Sequence, residues 1–180
     1  MSRHFFIQAH LLLAAFFAPV ILLMAISGGL YLVGVKGELT QTQISAPAGA
    51  SIDLSSATLE QDVRVLVKNL NPGFSFEYLK VKDSTLYTRP TSKNHYEIKV
   101  EAEGLQIFQN EPSIQKSLVE LHKGHGPQLY KTLQKAMATG LVFVLLSGIW
   151  LGISSRALRF STILMLILGS GVAVAFAFFV

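Results

Sequence analysis

The histidines are the residues of this chain best suited to chemistry, because an imidazole can bind a metal ion or haem iron and can exchange a proton near neutral pH. His10 begins one long apolar stretch, and His122 and His125 precede another. Residues three apart lie on one face of a helix. The spacing of His122 and His125 therefore suits a metal ion, with Glu120 as a third ligand.

The segment that holds this pair also contains the residues of a flexible joint. Gly124 and Gly126 allow backbone angles that other residues resist, and Pro127 disfavours helical geometry in the residue before it. A helix interrupted here would not hold two imidazoles rigidly. We therefore expect a hinge that couples an outer domain to the next membrane helix, with its polar residues at the membrane surface. The metal site is the alternative.

His10 has two interpretations. It is an interfacial polar residue at the start of a membrane helix, or it is an axial ligand of haem or a hydrogen-bond donor in a quinone site. The remaining histidines suggest no site. His4 lies on a short tail that we expect among lipid headgroups, and His95 lies amid polar residues at a predicted strand edge, where we expect a solvated side chain.

Two Ser-Gly pairs, Ser27-Gly28 and Ser147-Gly148, indicate close packing of membrane helices. In antiparallel helices rising about 1.5 Å per residue, Ser27 lies about 24 Å and Ser147 about 9 Å from the same membrane face. The pairs are therefore not expected to face each other, and each should pack on a third helix or on another protein. Trp150 is expected to anchor its helix at the interface.

Three apolar runs must position these residues. Residues 11–35, 136–155 and 160–180 contain no charged side chain, and a bilayer core takes about 20 apolar residues per helix. We expect a tail with transmembrane helix 1 at residues 1–35, a linker at 36–50 and a domain at 51–135. Transmembrane helices 2 and 3 are expected at residues 136–155 and 160–180. Helix 1 is too long for the apolar core of a cleavable signal peptide, so we expect a retained anchor.

Composition and charge support a membrane protein. The chain of 180 residues is 51% hydrophobic and 14% charged, against about 25% charged residues in soluble domains. All 11 acidic residues lie between Glu38 and Glu120. Cysteine is absent, which excludes disulfides and thiol catalysis. No basic cluster with interleaved aromatic residues indicates nucleic-acid binding.

Three spans place the two termini on opposite sides of the membrane. The short loop with Arg156 and Arg159 favours the cytoplasmic side, together with Arg3. Lysines near the other face make charge counting alone indecisive. We weight the short loop, because long segments translocate with little regard to charge. The N-terminus is thus expected in the cytoplasm, and the middle domain and the C-terminus outside it.

The middle segment has the pattern of a small α+β domain. A helical apolar stripe from Leu59 to Leu70 precedes Asn71-Pro72-Gly73, which ends a helix. Alternating apolar residues then predict three or four antiparallel strands between residues 74 and 108. A second helix begins at Ser113. The helices are expected to cover one face of the sheet, because a sheet alone is marginally stable.

Short motifs around this domain resemble the PepSY-associated transmembrane family. His10-Leu11-Leu12-Leu13, Phe16-Phe17-Ala18-Pro19 and Ser27-Gly28-Gly29-Leu30 resemble its first span. The motifs that resemble the second span are Leu121-His122-Lys123-Gly124-His125-Gly126 and Leu146-Ser147-Gly148-Ile149-Trp150-Leu151. The resemblance covers most of residues 8–153 and implies a PepSY-like extracytoplasmic domain inserted between membrane helices. Larger members of the family have more spans and more intramembrane histidines.

The resemblance implies two functions. Many PepSY domains bind or regulate a partner, which predicts an inner-membrane accessory protein of bacteria, without enzymatic activity, whose periplasmic domain contacts another membrane or periplasmic protein or a second copy. Some relatives bind b-type haem and reduce periplasmic iron chelates, which is the alternative. A span is about 30 Å thick, so His10 could not share a haem with His122 or His125. It would need a second copy, a partner subunit or another kind of ligand.

Enzyme motifs are absent from the sequence. It contains no G-x-S-x-G, no H-E-x-x-H, no P-loop and no dinucleotide fingerprint. No predicted span contains an acidic residue or a lysine, which a proton or cation transporter usually needs inside the membrane. Transport and hydrolysis are therefore ranked below binding and electron transfer.

Overall fold

The computed structural model describes residues 3–179. It divides into two compact units. The helical unit consists of residues 3–21 and 135–179, and the sheet unit consists of residues 22–134. Each is described by itself.

Three helices are long and apolar enough to cross a membrane. They are α1, Arg3–Leu32, α4, Gln128–Ser154, and α5, Arg159–Phe178. This confirms the three predicted spans, with two differences in extent: α1 begins before His10, and α4 begins eight residues before Ala136, the expected start of span two. Helix α5 has no buried residue among those described.

Small residues allow close contacts within the helical unit. Gly140 lies against the ring of Phe17, and Gly152 lies against Thr162 of α5. A Cβ at Gly140 would overlap the Phe17 ring. Membrane helices approach closely where side chains are this small.

The sheet unit contains a five-stranded antiparallel sheet in the order β1-β5-β4-β3-β2. Its strands are β1, Leu39–Ile44, β2, Tyr78–Lys82, β3, Thr85–Arg89, β4, His95–Glu101, and β5, Gly104–Pro112. Its helices are α2, Leu59–Leu70, and α3, Ile114–His122. The α+β composition and the antiparallel sheet are confirmed. The strand expected from Phe74 begins only at Tyr78, and Phe74 instead packs edge-on against Tyr96, with ring centroids 4.8 Å apart.

Strand β1 lies within residues 36–50, which were predicted to be a linker. That prediction is wrong for Leu39–Ile44, which pairs along its length with β5. Two hydrogen bonds hold its start: Glu38 N–H donates to Ser113 Oγ over 3.1 Å, and Ser113 N–H donates to the Glu38 carbonyl over 3.0 Å. Gly37, at φ +74°, fits directly against the backbone of Lys116.

Helix α2 covers the apolar face of the sheet. The alternation of β4 places Tyr96 and Ile98 on this face, and both are at most 1% exposed. The buried core consists of Val63, Leu66, Val67, Phe76, Leu86, Tyr96, Ile98 and Ile107. Removing this much apolar surface from water is the main force that stabilises the sheet unit.

The opposite face of the sheet is polar, and α3 contributes to it. Ser113 caps α3 by accepting a hydrogen bond from Lys116 N–H. Lys116 and Glu120 of α3 line a cleft together with polar residues of β3, β4 and β5. The expectation that both helices cover one face is therefore wrong: α2 covers the apolar face, and α3 borders the polar one.

Candidate functional site

The polar face of the sheet forms a cleft of about 170 Å³. Strand alternation and cross-strand register bring its residues together, because His95 lies opposite Asn110 and Tyr87 lies opposite Glu97. We call this the polar cleft; its lining residues are Leu39, Tyr87, Arg89, Thr91, His95, Glu97, Asn110, Lys116, Glu120 and His125.

His95 is buried, with 5% of its surface exposed, so the prediction of a solvated surface side chain is wrong. Its Nδ1–H donates to the Lys93 carbonyl over 2.9 Å. Its Nε2 therefore accepts, and Asn110 Nδ2 lies 3.3 Å away as the donor. Burial lowers the pKa of His95 below its ordinary value of 6.5, so the ring is neutral at pH 7.

Asn110 connects His95 to the rest of the polar face. It is completely buried. Its Oδ1 accepts from Gln41 Nε2 over 3.1 Å, and its Nδ2 also lies 3.4 Å from Glu97 Oε2. Because both ends of this amide are engaged, Asn110 fixes the position of His95 relative to β1 and β4.

Glu120 is the buried anion of the polar cleft, with 7% of its surface exposed. Its Oε2 accepts from Thr91 Oγ1 over 2.9 Å and from His125 Nδ1 over 2.7 Å. Burial acts to raise the pKa of this carboxyl, but the hydrogen bonds from His125 and Thr91 outweigh it, and the pKa falls to about 2. Glu120 is therefore a fixed negative charge at neutral pH, and His125 serves as its hydrogen-bond donor.

His122 and His125 have different partners. His125 binds Glu120, whereas His122 Nδ1 lies 3.3 Å from Ser27 Oγ in α1. Among residues 3–179, no group of three His, Cys, Asp or Glu side chains could hold a metal ion. The metal site predicted from the spacing of the two histidines is not assembled, because α3 ends at His122 and the chain turns before His125.

His122 packs on the Ser27-Gly28 pair. Ser27 is 2% exposed, and its Oγ lies 3.1 Å from the Met24 carbonyl oxygen and 3.3 Å from His122 Nδ1. The hydroxyl either donates to the carbonyl and accepts from Nδ1–H, or donates to an unprotonated Nδ1. The ring lies over Gly28, where an added Cβ would come within 2.9 Å of Cε1.

The same arrangement recurs in the helical unit. Ser147 donates its hydroxyl to the Val144 carbonyl over 3.0 Å, and His10 Nδ1 lies 2.9 Å from Ser147 Oγ. The ring of His10 lies over Gly148, with Cε1 3.2 Å from the position of an added Cβ. Each Ser-Gly pair thus packs on a histidine of another helix, and packing on another protein stays a prediction.

Trp150 packs against Phe6 in the helical unit, with ring centroids 4.7 Å apart. The two rings, with Phe143, Leu146 and Ser147, line a hollow of about 360 Å³. Trp150 remains 46% exposed. Its predicted role as an interfacial anchor stays a prediction.

The break between α3 and α4 lies where the glycines and Pro127 predict it. Gly124 has φ +75°, which favours glycine. Gly126 has a different role: it is buried, and an added Cβ would come within 2.6 Å of Leu121 Cδ2. Gln134 Nε2 also donates to the Leu121 carbonyl over 2.8 Å. The turn is thus closely packed and hydrogen-bonded, and its action as a hinge stays a prediction.

The sequence contained a signal for part of the polar cleft. His95, Glu97 and Lys99 alternate with apolar residues, so they had to share the face opposite the core. What the pattern did not contain was the position of α3 beside that face, which buries His95 and brings Glu120 to Thr91. Arg89 and Asn110 were missed for the same reason.

No protein-family model, curated protein or solved structure matches the chain. Its function is therefore inferred from the sequence and from the geometry of its two units. The features that bear on function are the polar cleft, the free edges of the sheet and the two histidines held on Ser-Gly pairs.

Proposed function

We propose that the protein is an integral accessory or regulatory protein of a bacterial inner membrane, whose PepSY-like sheet domain lies in the periplasm and binds a partner protein. Three apolar helices support membrane insertion. The short Arg156/Arg159 loop favours a cytoplasmic position for the connection between α4 and α5. The sequence motifs that flank the domain support the PepSY resemblance.

The observation that carries partner binding is the difference between the two edges of the sheet. Edge strand β2 contains Lys80 and Lys82, and lysines on an edge discourage pairing with another chain. Edge strand β1, Leu39–Ile44, has no charge and no proline, and five of its six residues are exposed. Within residues 3–179, its backbone bonds only to β5. A free, uncharged edge suits the addition of an extended segment from a partner.

The location of the domain can be tested with the cysteine-free chain. A single cysteine at Glu103, in the exposed turn between β4 and β5, should react with a membrane-impermeant maleimide in intact spheroplasts. A cysteine at Ala157, in the α4–α5 loop, should react only after permeabilisation. The reverse pattern would refute the proposed orientation.

Partner binding through β1 can be tested by photo-crosslinking in native membranes. A crosslinking amino acid at Thr42 should give a discrete adduct, with another protein or with a second copy. A lysine introduced on this edge, Thr40→Lys, should abolish the adduct. The control Ser84→Lys adds the same charge in the turn beside β2 and should leave the adduct unchanged. Absence of an adduct, or an adduct insensitive to Thr40→Lys, would refute the use of this edge.

A second candidate function is favoured by the histidine geometry. Nδ1 of His10 and Nδ1 of His122 each lie within hydrogen-bond distance of a serine hydroxyl, and an imidazole held through one nitrogen commonly binds a metal through the other. The residues therefore fit an axial ligand of b-type haem, which would supply one-electron transfer to periplasmic ferric chelates. His125 is held in the same way, because its Nδ1–H donates to Glu120 in the polar cleft.

An absorbance spectrum separates the two functions. Protein produced with ample haem and purified in detergent should show no Soret band if it is solely an accessory protein. A Soret band that is lost in His10→Ala, but kept in His4→Ala, would establish the electron-transfer candidate and displace the first as stated.

A further inference from the structure

Arg89 is the cation of the polar cleft that has no anionic partner. It is the last residue of β3 and is half-buried. No carboxylate of residues 3–179 lies within ion-pair distance of its guanidinium, although Glu97 and Glu120 both line the same cleft. Buried cations in proteins are ordinarily paired or hydrogen-bonded.

Arg89 has unused hydrogen-bond donors. Nη1 donates to Thr91 Oγ1 over 2.7 Å. Nε and Nη2 have no hydrogen-bond partner among the described residues, and Nε is shielded from solvent, so Nη2 is the donor that a ligand can reach. A free N–H group on a planar guanidinium suits an oxygen of a carboxylate.

The two carboxylates of the polar cleft are already engaged. Glu120 accepts from Thr91 and His125 and lies 3.5 Å from Lys116 Nζ. Glu97 Oε1 lies 3.8 Å from Lys99 Nζ on the same strand. Neither can turn toward Arg89 without giving up these contacts, so the unmatched group in the cleft is a hydrogen-bond donor with positive charge.

We infer that the polar cleft is a binding site for a monocarboxylate, held by Nη2 of Arg89. This goes beyond the proposed partner binding at β1, because it uses the face of the sheet and not its edge. A volume of about 170 Å³ admits a small acid or the terminal carboxylate of a peptide. Glu97 and Glu120 would repel a second negative charge, which favours a carboxylate over phosphate.

Binding can be measured with the full chain in detergent at pH 7, by titrating ¹³C-carboxyl-labelled propionate and following its resonance. Saturable binding is expected. Arg89→Lys keeps the charge but removes the planar guanidinium group, so affinity should fall about tenfold. Arg89→Gln should abolish binding. Lys68→Gln, which removes an exposed cation from α2, should leave the affinity unchanged.

Two further measurements identify the source of the carboxylate and show whether each variant is folded. Tighter binding of trialanine than of propionate, lost when its C-terminus is amidated, would assign the site to a peptide terminus; the reverse order would assign it to a small acid. Hydrogen exchange in β4 must match the wild type in each variant used. The inference is overturned if propionate and trialanine both fail to saturate, if phosphate binds more tightly, or if folded Arg89→Gln and Arg89→Lys both bind as well as the wild type.

Discussion

Replacing Glu120 by glutamine should destabilise the sheet unit selectively. The carboxylate accepts hydrogen bonds from Thr91 and His125 and lies near Lys116 and Lys123. These contacts hold its pKa at about 2, against an ordinary value of 4.5. That difference corresponds to about 3 kcal/mol of folding free energy at neutral pH. Glutamine keeps the shape of the side chain but loses the charge.

Hydrogen exchange of the full chain in detergent measures this effect where it should occur. At pH 7, amides of β4 and β5 that exchange by opening of the whole unit should exchange roughly 100-fold faster in Glu120→Gln, as expected for a loss of about 3 kcal/mol. The control is Glu103→Gln, an exposed acid in the β4–β5 turn, whose effect should stay within about 0.5 kcal/mol. Equal exchange rates in the two variants would refute the assigned role of Glu120.

The pH dependence of stability gives an independent check on the contribution of the Glu120 charge to the free energy of unfolding. The pKa of Glu120 is lower in the folded state than in the unfolded state, so its contribution is complete above pH 4.5 and is lost as the pH falls toward 2. The difference in unfolding free energy between wild type and Glu120→Gln should therefore shrink across that range. A difference that stays constant from pH 5 to pH 2 would show that the charge is not responsible.

Three further changes follow from burial and close packing. Because burial lowers the pKa of His95, the unfolded chain takes up a proton first as the pH falls below 6.5, and the resulting loss of thermal stability between pH 7 and pH 5 should be smaller in His95→Gln. Gly140→Leu, which has no room beside Phe17, should cost about 1–3 kcal/mol in a detergent unfolding assay, whereas Gly169→Leu, with no atom within 4 Å of its Cβ position, should cost little. Gly126→Ala should lower the thermal midpoint of the sheet unit, because its methyl group overlaps a neighbouring side chain; an unchanged midpoint would show that the turn can relax.

Periodicity predicted the elements whose apolar residues meet the core. Helix α2 and strands β3, β4 and β5 were recognisable because their apolar side chains recur with the period of a helix or a strand. Strand β1 was not, since Leu39–Ile44 has four consecutive Thr and Gln residues and only one side chain packed on the core. Its structure depends on pairing with β5, a long-range contact that no local pattern in the sequence contains.

The partners of the Ser-Gly pairs show a different limit. Both serines and both histidines were identifiable from the sequence. In the sequence, the two Ser-Gly pairs were compared only with each other, so the side chains that pack on them were not identified. Each pair lies beside a histidine from another helix, and such a pairing depends on how the helices rotate about their axes, which length and hydropathy do not define.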